Sequence, residues 1–520
     1  MTQRRTVRAG SRLRIAQAVM ICLFVFQIEA AVAQEGSPPP EAPAGQTPPE
    51  IEPPADVPAT EPQTGEGAKA ESAPDAAAPA EAEQPAEKNY FKASKADGVN
   101  HRPQPPSYVQ TFDKYGLPGT EDLTWLEFGL EHRTRFEYRD DDYRNALEDE
   151  HQFLLRTDVY IGIRDIFDPL RFGFEFQDSR QFQADFPENV GDVDQYDVLQ
   201  GFGELYFKDA LGPDRPLSFR VGRQAFDLAN RRQVARNGFR NTTNAFDGFR
   251  LTLGQQKNDW QVDVVAVMPV ERLLREPDRP DEERWLYGFV HTWRAWSDVA
   301  TIETFYFVLD EDRKDRALLD REVHSIGTHV FGPIGKTGFD YDVDFNWQFG
   351  NDGDNTRRAY ATHAELGYTF DHAWKPRLAV LCNYATGDQD ATDHLAERFD
   401  PMFSDSTGYG YFNIQRLENL INPNLRLQLK PHEKIEFNGY YRAYWLARDE
   451  DRSNWGGRID PTGRSGDCVG QTVDLVMKYK MCPKSELEIG YAHFFPGSFI
   501  GNTGPAEDSD FLFVAATVKF

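Results

Sequence analysis

Cysteine and methionine are scarce, at 4 and 6 of 520 residues. So few cysteines exclude a disulfide-stapled scaffold and leave no cysteine-paired zinc spacing. Positive charge is short as well: 57 Lys and Arg stand against 84 Asp and Glu, for a formal charge of −27. That balance lacks the basic footprint of a nucleic-acid partner. No stretch reads as His-Glu-x-x-His or Gly-x-Ser-x-Gly, so the common hydrolase signatures are missing. The run Gly332 to Thr337 imitates a phosphate loop but has Val330 where the first glycine belongs. No enzyme is expected. Long apolar runs are absent too, and the mean hydropathy is −0.62. This excludes a bundle of membrane helices but not a barrel, whose lipid-facing residues alternate with polar ones.

The N-terminus carries Arg4, Arg5, Arg8, Arg12 and Arg14, then an apolar stretch from Ile15 to Ile28, then Ala31-Val32-Ala33. This order predicts a secretory signal peptide over residues 1–33. Residues 34–88 are mostly Pro, Ala and Glu, with twelve acidic residues against Lys69 and Lys88. They cannot bury enough apolar surface to offset their ordering entropy and are expected to form an extended, disordered periplasmic linker. It is expected to act as a spacer or to contact a periplasmic partner. Residues 89–122 form a lead-in, and 123–520 the folded body.

The folded body alternates with a period of two. Phe339, Tyr341, Val343, Phe345, Trp347 and Phe349 interleave with Asp340, Asp342, Asp344, Asn346 and Gln348. Leu170, Phe172, Phe174 and Phe176 interleave in the same way with Arg171, Gly173, Glu175 and Gln177. As helices these segments would be charged on every side; as strands each has one apolar face. About eighteen such segments follow one another, the first near Trp125, one near Ile414 and the last near Phe511. Short connections such as Asp168-Pro169 and Pro483 to Ser485 take turns with long polar ones such as Asp227 to Thr243 and Gly387 to Asn413. The expected fold is therefore all-β: a transmembrane antiparallel up-and-down barrel of about 18 strands, with short periplasmic turns and long extracellular loops. Lipid forbids open sheet edges, so the first and last strands must pair. Leu512, Val514, Ala516 and Val518 form one apolar face ending at Phe520, a terminal aromatic suited to the barrel-insertion machinery. Cys468 and Cys482 bracket one strand, placing them roughly 45 Å apart at about 3.3 Å per residue, too far to bridge.

Several segments resemble the alginate export family of outer-membrane proteins. They are Val221-Gly222-Arg223-Gln224, the Asn244 to Arg250 stretch, Tyr384 to Asp388 followed by Phe399-Asp400-Pro401, and Gly490 to Phe499. The resemblance spans about Leu123 to Phe520. It implies an eighteen-stranded monomeric barrel passing an anionic uronate polysaccharide through a basic constriction. The inward-facing basic candidates are Arg133, Arg135, Arg156, Arg164, Arg171, Arg220, Arg250, Arg377, Arg426, Lys430 and Arg442. Acids such as Glu127, Glu131, Glu175, Glu204, Asp263 and Glu365 share those faces, so each arginine either lines the pore or pairs across strands. Arg220 and Arg250 stand out, being on adjacent segments within the resembling motifs.

For metals, Asp388, Asp390 and Asp393 on a long loop are the candidates, with carboxylate oxygens suited to calcium. No other cofactor is expected. The expected activity is passive transport across the outer membrane of an anionic polysaccharide or its fragments. A porin for small solutes or sugar acids is the alternative, and a surface structural barrel or an outer-membrane enzyme are the remoter ones.

Overall fold

The computed structural model describes residues 90–91, 105–142, 148–312, 320–413, 415–453 and 457–520. The expected signal peptide and the 34–88 linker lie outside the described residues. Eighteen long strands make up the wall. The first six are Leu126–Asp142 (β1), Glu148–Phe167 (β2), Leu170–Phe182 (β3), Asp194–Phe207 (β4), Leu217–Gln224 (β5) and Phe246–Gly254 (β6). Then come Trp260–Glu271 (β7), Arg284–Trp293 (β8), Thr301–Glu311 (β9), Arg321–Pro333 (β10), Phe339–Asp352 (β11) and Asn355–Thr369 (β12). The last six are Arg377–Ala385 (β13), Leu420–His432 (β14), Ile435–Trp445 (β15), Cys468–Cys482 (β16), Ser485–Pro496 (β17) and Ser509–Lys519 (β18). A short helix, Ser498–Thr503 (α1), joins β17 to β18.

Each strand pairs antiparallel with its neighbours in sequence, and β1 pairs with β18 from Glu131 opposite Lys519 to Asp140 opposite Asp510. The ring is closed. Phe520 continues that seam, exchanging backbone hydrogen bonds with Leu130 in both directions. Along β11 the alternation sorts as expected: Phe339, Val343, Phe345 and Phe349 are exposed, while Asp342, Asp344, Asn346 and Gln348 are buried. Apolar side chains therefore face the lipid and polar ones the interior, the inverse of a soluble sandwich.

The short turns share one rim, and the long connections the other. Among the long-rim connections one is minimal, Gly353-Asp354 between β11 and β12. The segment expected near Ile414 begins at Leu420 instead, where the ladder with β13 starts opposite Ala385. Residues just before it serve the loops: Gln415 bonds Ser453, and the Asn419 amide bonds the carbonyls of Arg448 and Arg452.

The interior is not simply a polar tube. On β7 to β9, Val265, Val267, Leu286, Val290, Phe305 and Phe307 point inward and are buried under Phe226, Leu228 and Val234 with Met402 and Phe403. On the opposite wall, Ala361, Tyr444, Phe494, Phe511 and Phe513 are buried under Phe399, Tyr409, Phe412 and Leu417. Both covering sets come from two long-rim loops, 225–245 and 386–419. Burying a large apolar side chain contributes about 1.5–3 kcal/mol, so these clusters hold the loops inside the barrel. Inward apolar residues belong where a loop, rather than water, covers the wall.

Candidate functional site

The two loops meet each other as well as the wall. Loop 225–245 and loop 386–419 form a parallel bridge between Val234 and Phe403. The Phe403 amide donates to the Gln233 carbonyl at 3.0 Å, and the Ala235 amide to the Phe403 carbonyl at 3.0 Å. The buried Arg231 and Asp405 side chains close this junction with an ion pair.

The motif segments that resembled a family hold this arrangement. Val221 to Gln224 and Phe246 to Arg250 lie side by side, with Gly222 opposite Gly248 and Arg223 opposite Asp247. A Cβ on either glycine would stand 2.4 Å from a backbone oxygen of the next strand, and both have positive φ, so only glycine allows this close approach. Thr386 pins the second loop. Its hydroxyl donates to the Glu397 carbonyl at 2.6 Å, and its carbonyl accepts from Phe399 and Asn419. Asp400 pairs with Arg321 at 2.6 Å.

The predicted pore arginines face the lumen, but each is engaged. Arg220 and Arg250 stand directly opposite each other in the ladder. Arg220 turns to Glu204 at 2.8 Å, and Arg250 turns away to Asp263 at 2.7 Å. Arg171 pairs with Asp165 at 3.0 Å and stacks on Tyr206, and Arg164 pairs with Glu127 at 2.6 Å. Arg377 joins Asp340 and Glu365, and Arg426 reaches the same Glu365 at 3.3 Å. The remaining four grip the loops. Arg133 donates to the carbonyls of Gly238 and Arg240, both at 3.0 Å. Arg135 donates to the Phe239 carbonyl and lies over its ring. Arg156 pairs with Asp158 at 3.1 Å and reaches Gly238. Arg442 pairs with Asp474 at 3.0 Å and donates to the Gly408 carbonyl at 3.2 Å.

The lead-in also enters the lumen. Tyr108 donates to Glu175 at 2.9 Å, while Arg236 of loop 225–245 approaches the same carboxylate at 3.4 Å from the other side. Residues 110–111 pair with β1 at the short-turn rim.

Guanidinium groups without a carboxylate sit in the loops. Arg240 and Arg272 both donate to the Asn244 side-chain oxygen, and neither forms an ion pair among the described residues. Burial, with Arg272 and Arg416 nearby, pushes Arg240 down to about 9. A cavity of about 450 Å³ opens among the long-rim loops, lined by Arg321, Arg357, Arg398, Arg416 and Arg452 against Asp352, Asp388, Asp400 and Glu418. Arg321, Arg357 and Arg398 have acidic partners. Arg416 and Arg452 are exposed and make no ion pair among the described residues. Burial and the neighbouring Arg452 draw Arg398 down to about 10. Arg416 and Arg452, outside any ion pair among the described residues, are the guanidiniums of this cavity suited to a carboxylate.

Asp388, Asp390 and Asp393 lie together on their loop but do not converge. Asp390 accepts from Thr392 and Asp393 from the Leu395 amide, each closing a local turn. Among the described residues, the carboxylates that converge are Asp194, Asp197 and Asp278. The first two form a visible acidic pair in the sequence; the third comes from a distant loop without any local signal. The loop arginines went unrecognised for the same reason, since period-two reading covers strands alone.

A family model for alginate export matches residues 124–514. No curated protein matches the chain. Solved Pseudomonas aeruginosa structures share the fold at low identity. OccK8 (OprE) superposes with a TM-score of 0.52 at 11% identity, covering 76% of this chain and 98% of that one. OpdQ gives 0.51 at 12%, covering 76% and 98%. OpdK with vanillate gives 0.51 at 9%, covering 76% and 99%. With the family model spanning nearly the whole barrel, the chain belongs to the alginate export family, as an outer-membrane channel on an eighteen-stranded barrel.

Proposed function

We propose that this channel passes an anionic uronate-type polysaccharide, or its fragments, outward, and that loop arginines rather than wall arginines set its selectivity. The observation that carries this reading is the pair Arg416 and Arg452, which face the long-rim cavity with no ion-pair partner among the described residues. A uronate carboxylate suits the planar fork of a free guanidinium, whereas the wall arginines are already committed to acids or carbonyls. The N-terminal linker belongs in the periplasm on this reading, because the lead-in joins the barrel at the short-turn rim. Phe520, in register with the closing seam, is the feature offered to the insertion machinery, and the exposed apolar belt is offered to outer-membrane lipid.

Single-channel conductance and reversal potential under a salt gradient test the assignment. Arg416→Glu with Arg452→Glu is expected to shift the reversal potential toward cations and to weaken block by oligouronate. An unshifted potential with intact block would overturn it. A second reading, uptake of small sugar acids, draws on the two loops folded into the lumen. In that case monomeric uronate, but not the oligomer, would pass in a liposome-swelling assay.

A further inference from the structure

Asp194 and Asp197 are three residues apart on β4, so in a regular strand they would face opposite ways. They face the same way because Tyr196 between them adopts a left-handed conformation, with φ 61°, and the ladder with β3 slips register at this point. Asp278, from the loop after β7, then folds over them. One oxygen from each of the three carboxylates lies within 4.8 Å of the other two. All three are buried, at 3, 4 and 8% exposure, and Asp194 Oδ1 has no hydrogen-bond partner among the described residues.

Nearby protein charge does not neutralise this cluster. Arg223 approaches Asp197 only at 3.5 Å and spends its stronger contacts, 2.9 and 3.0 Å, on Asp247. Arg272 makes no ion pair with the three among the described residues and donates instead to Asn244 and to the Val190 carbonyl. Three buried carboxylates with one marginal cation contact among the described residues are costly to keep ionised. Oxygen-only donors select a hard cation, and no histidine or cysteine belongs to the group. Calcium takes carboxylate oxygens at about 2.3–2.6 Å, so two oxygens on one ion stand at most about 4.6–5.2 Å apart, and the three here all lie within 4.8 Å of one another.

We propose that Asp194, Asp197 and Asp278 form a calcium-binding site that fastens the loop after β7 to the rim of β4. The loop so fastened carries Arg272, whose bond to Asn244 places it beside Arg240. Calcium would thus order part of the basic mouth whichever anion passes through it.

Isothermal titration of the full chain in detergent with calcium chloride tests the site. The expected result is one saturable calcium per barrel, with affinity falling roughly tenfold or more in Asp278→Asn as ligand charge is lost. Asp390→Asn, on the separate acidic loop, is expected to bind as the parent does. Asp278 lies outside the strands, and an unchanged heat-modifiable band on a gel would establish that its variant still folds. No saturable binding by the parent chain, or binding that survives both Asp278→Asn and Asp194→Asn, would overturn the proposal.

Discussion

At the scale of single residues, charge pairing dominates the wall. Arg250 and Asp263 illustrate it: the guanidinium donates through Nε and Nη2 to one carboxylate oxygen, at 3.0 and 2.7 Å. Removing the cation leaves a buried acid that has lost its principal partner, at a cost of about 1–3 kcal/mol. Arg250→Ala is therefore expected to lower the temperature at which the folded band is lost, while leaving ion selectivity in place. A large change in reversal potential with unchanged stability would restore this arginine to the pore. Pairing of this kind was legible beforehand, because the sequence places acids and arginines on the same faces of neighbouring strands. Which acid each arginine chooses was not. Arg220 and Arg250 sit opposite each other and turn in opposite directions, a choice set by rotamers and by aromatic rings such as Phe202 beneath Arg220.

At the scale of elements, strands and loops obey different rules. A strand declares itself through period two, since one face meets lipid and the other the interior; Leu170, Leu217, Phe246, Trp260, Phe339 and Ile435 each open a strand where the alternation begins. The loop interiors carry no such signal. Phe399, Tyr409 and Phe412 are buried against the far wall, yet no repeat in their spacing marks them as inward. The inward apolar residues of β7 to β9 were the available hint, since an apolar lumen wall needs something to cover it. Replacing residues 401–411 by a short Gly-Ser bridge is expected to raise single-channel conductance while the folded barrel persists. Unchanged conductance would show that this loop does not lie across the conducting path.

At the scale of the whole molecule, closure is the central fact. The β1–β18 ladder joins the two ends of the folded body, so neither sheet edge meets lipid. Deleting residues 509–520 exposes backbone groups on β1 and β17 at once and is expected to abolish the heat-modifiable band, whereas Phe520→Ala should slow assembly and leave the final fold intact. Pulse-chase assembly assays distinguish the two. The eighteen-strand count and the closing pair were both accessible from the sequence, because the alternation and the lipid's intolerance of free edges demand them. The path of the lead-in was not. Tyr108 comes in from the short-turn rim, Arg236 hangs from the long-rim loops, and both end on the Glu175 carboxylate. Three side chains thus connect the lead-in to loop 225–245 across the interior. Withdrawing Tyr108 would take one donor from that carboxylate, so a change at the short-turn rim has a route to a long-rim loop that requires no strand to move.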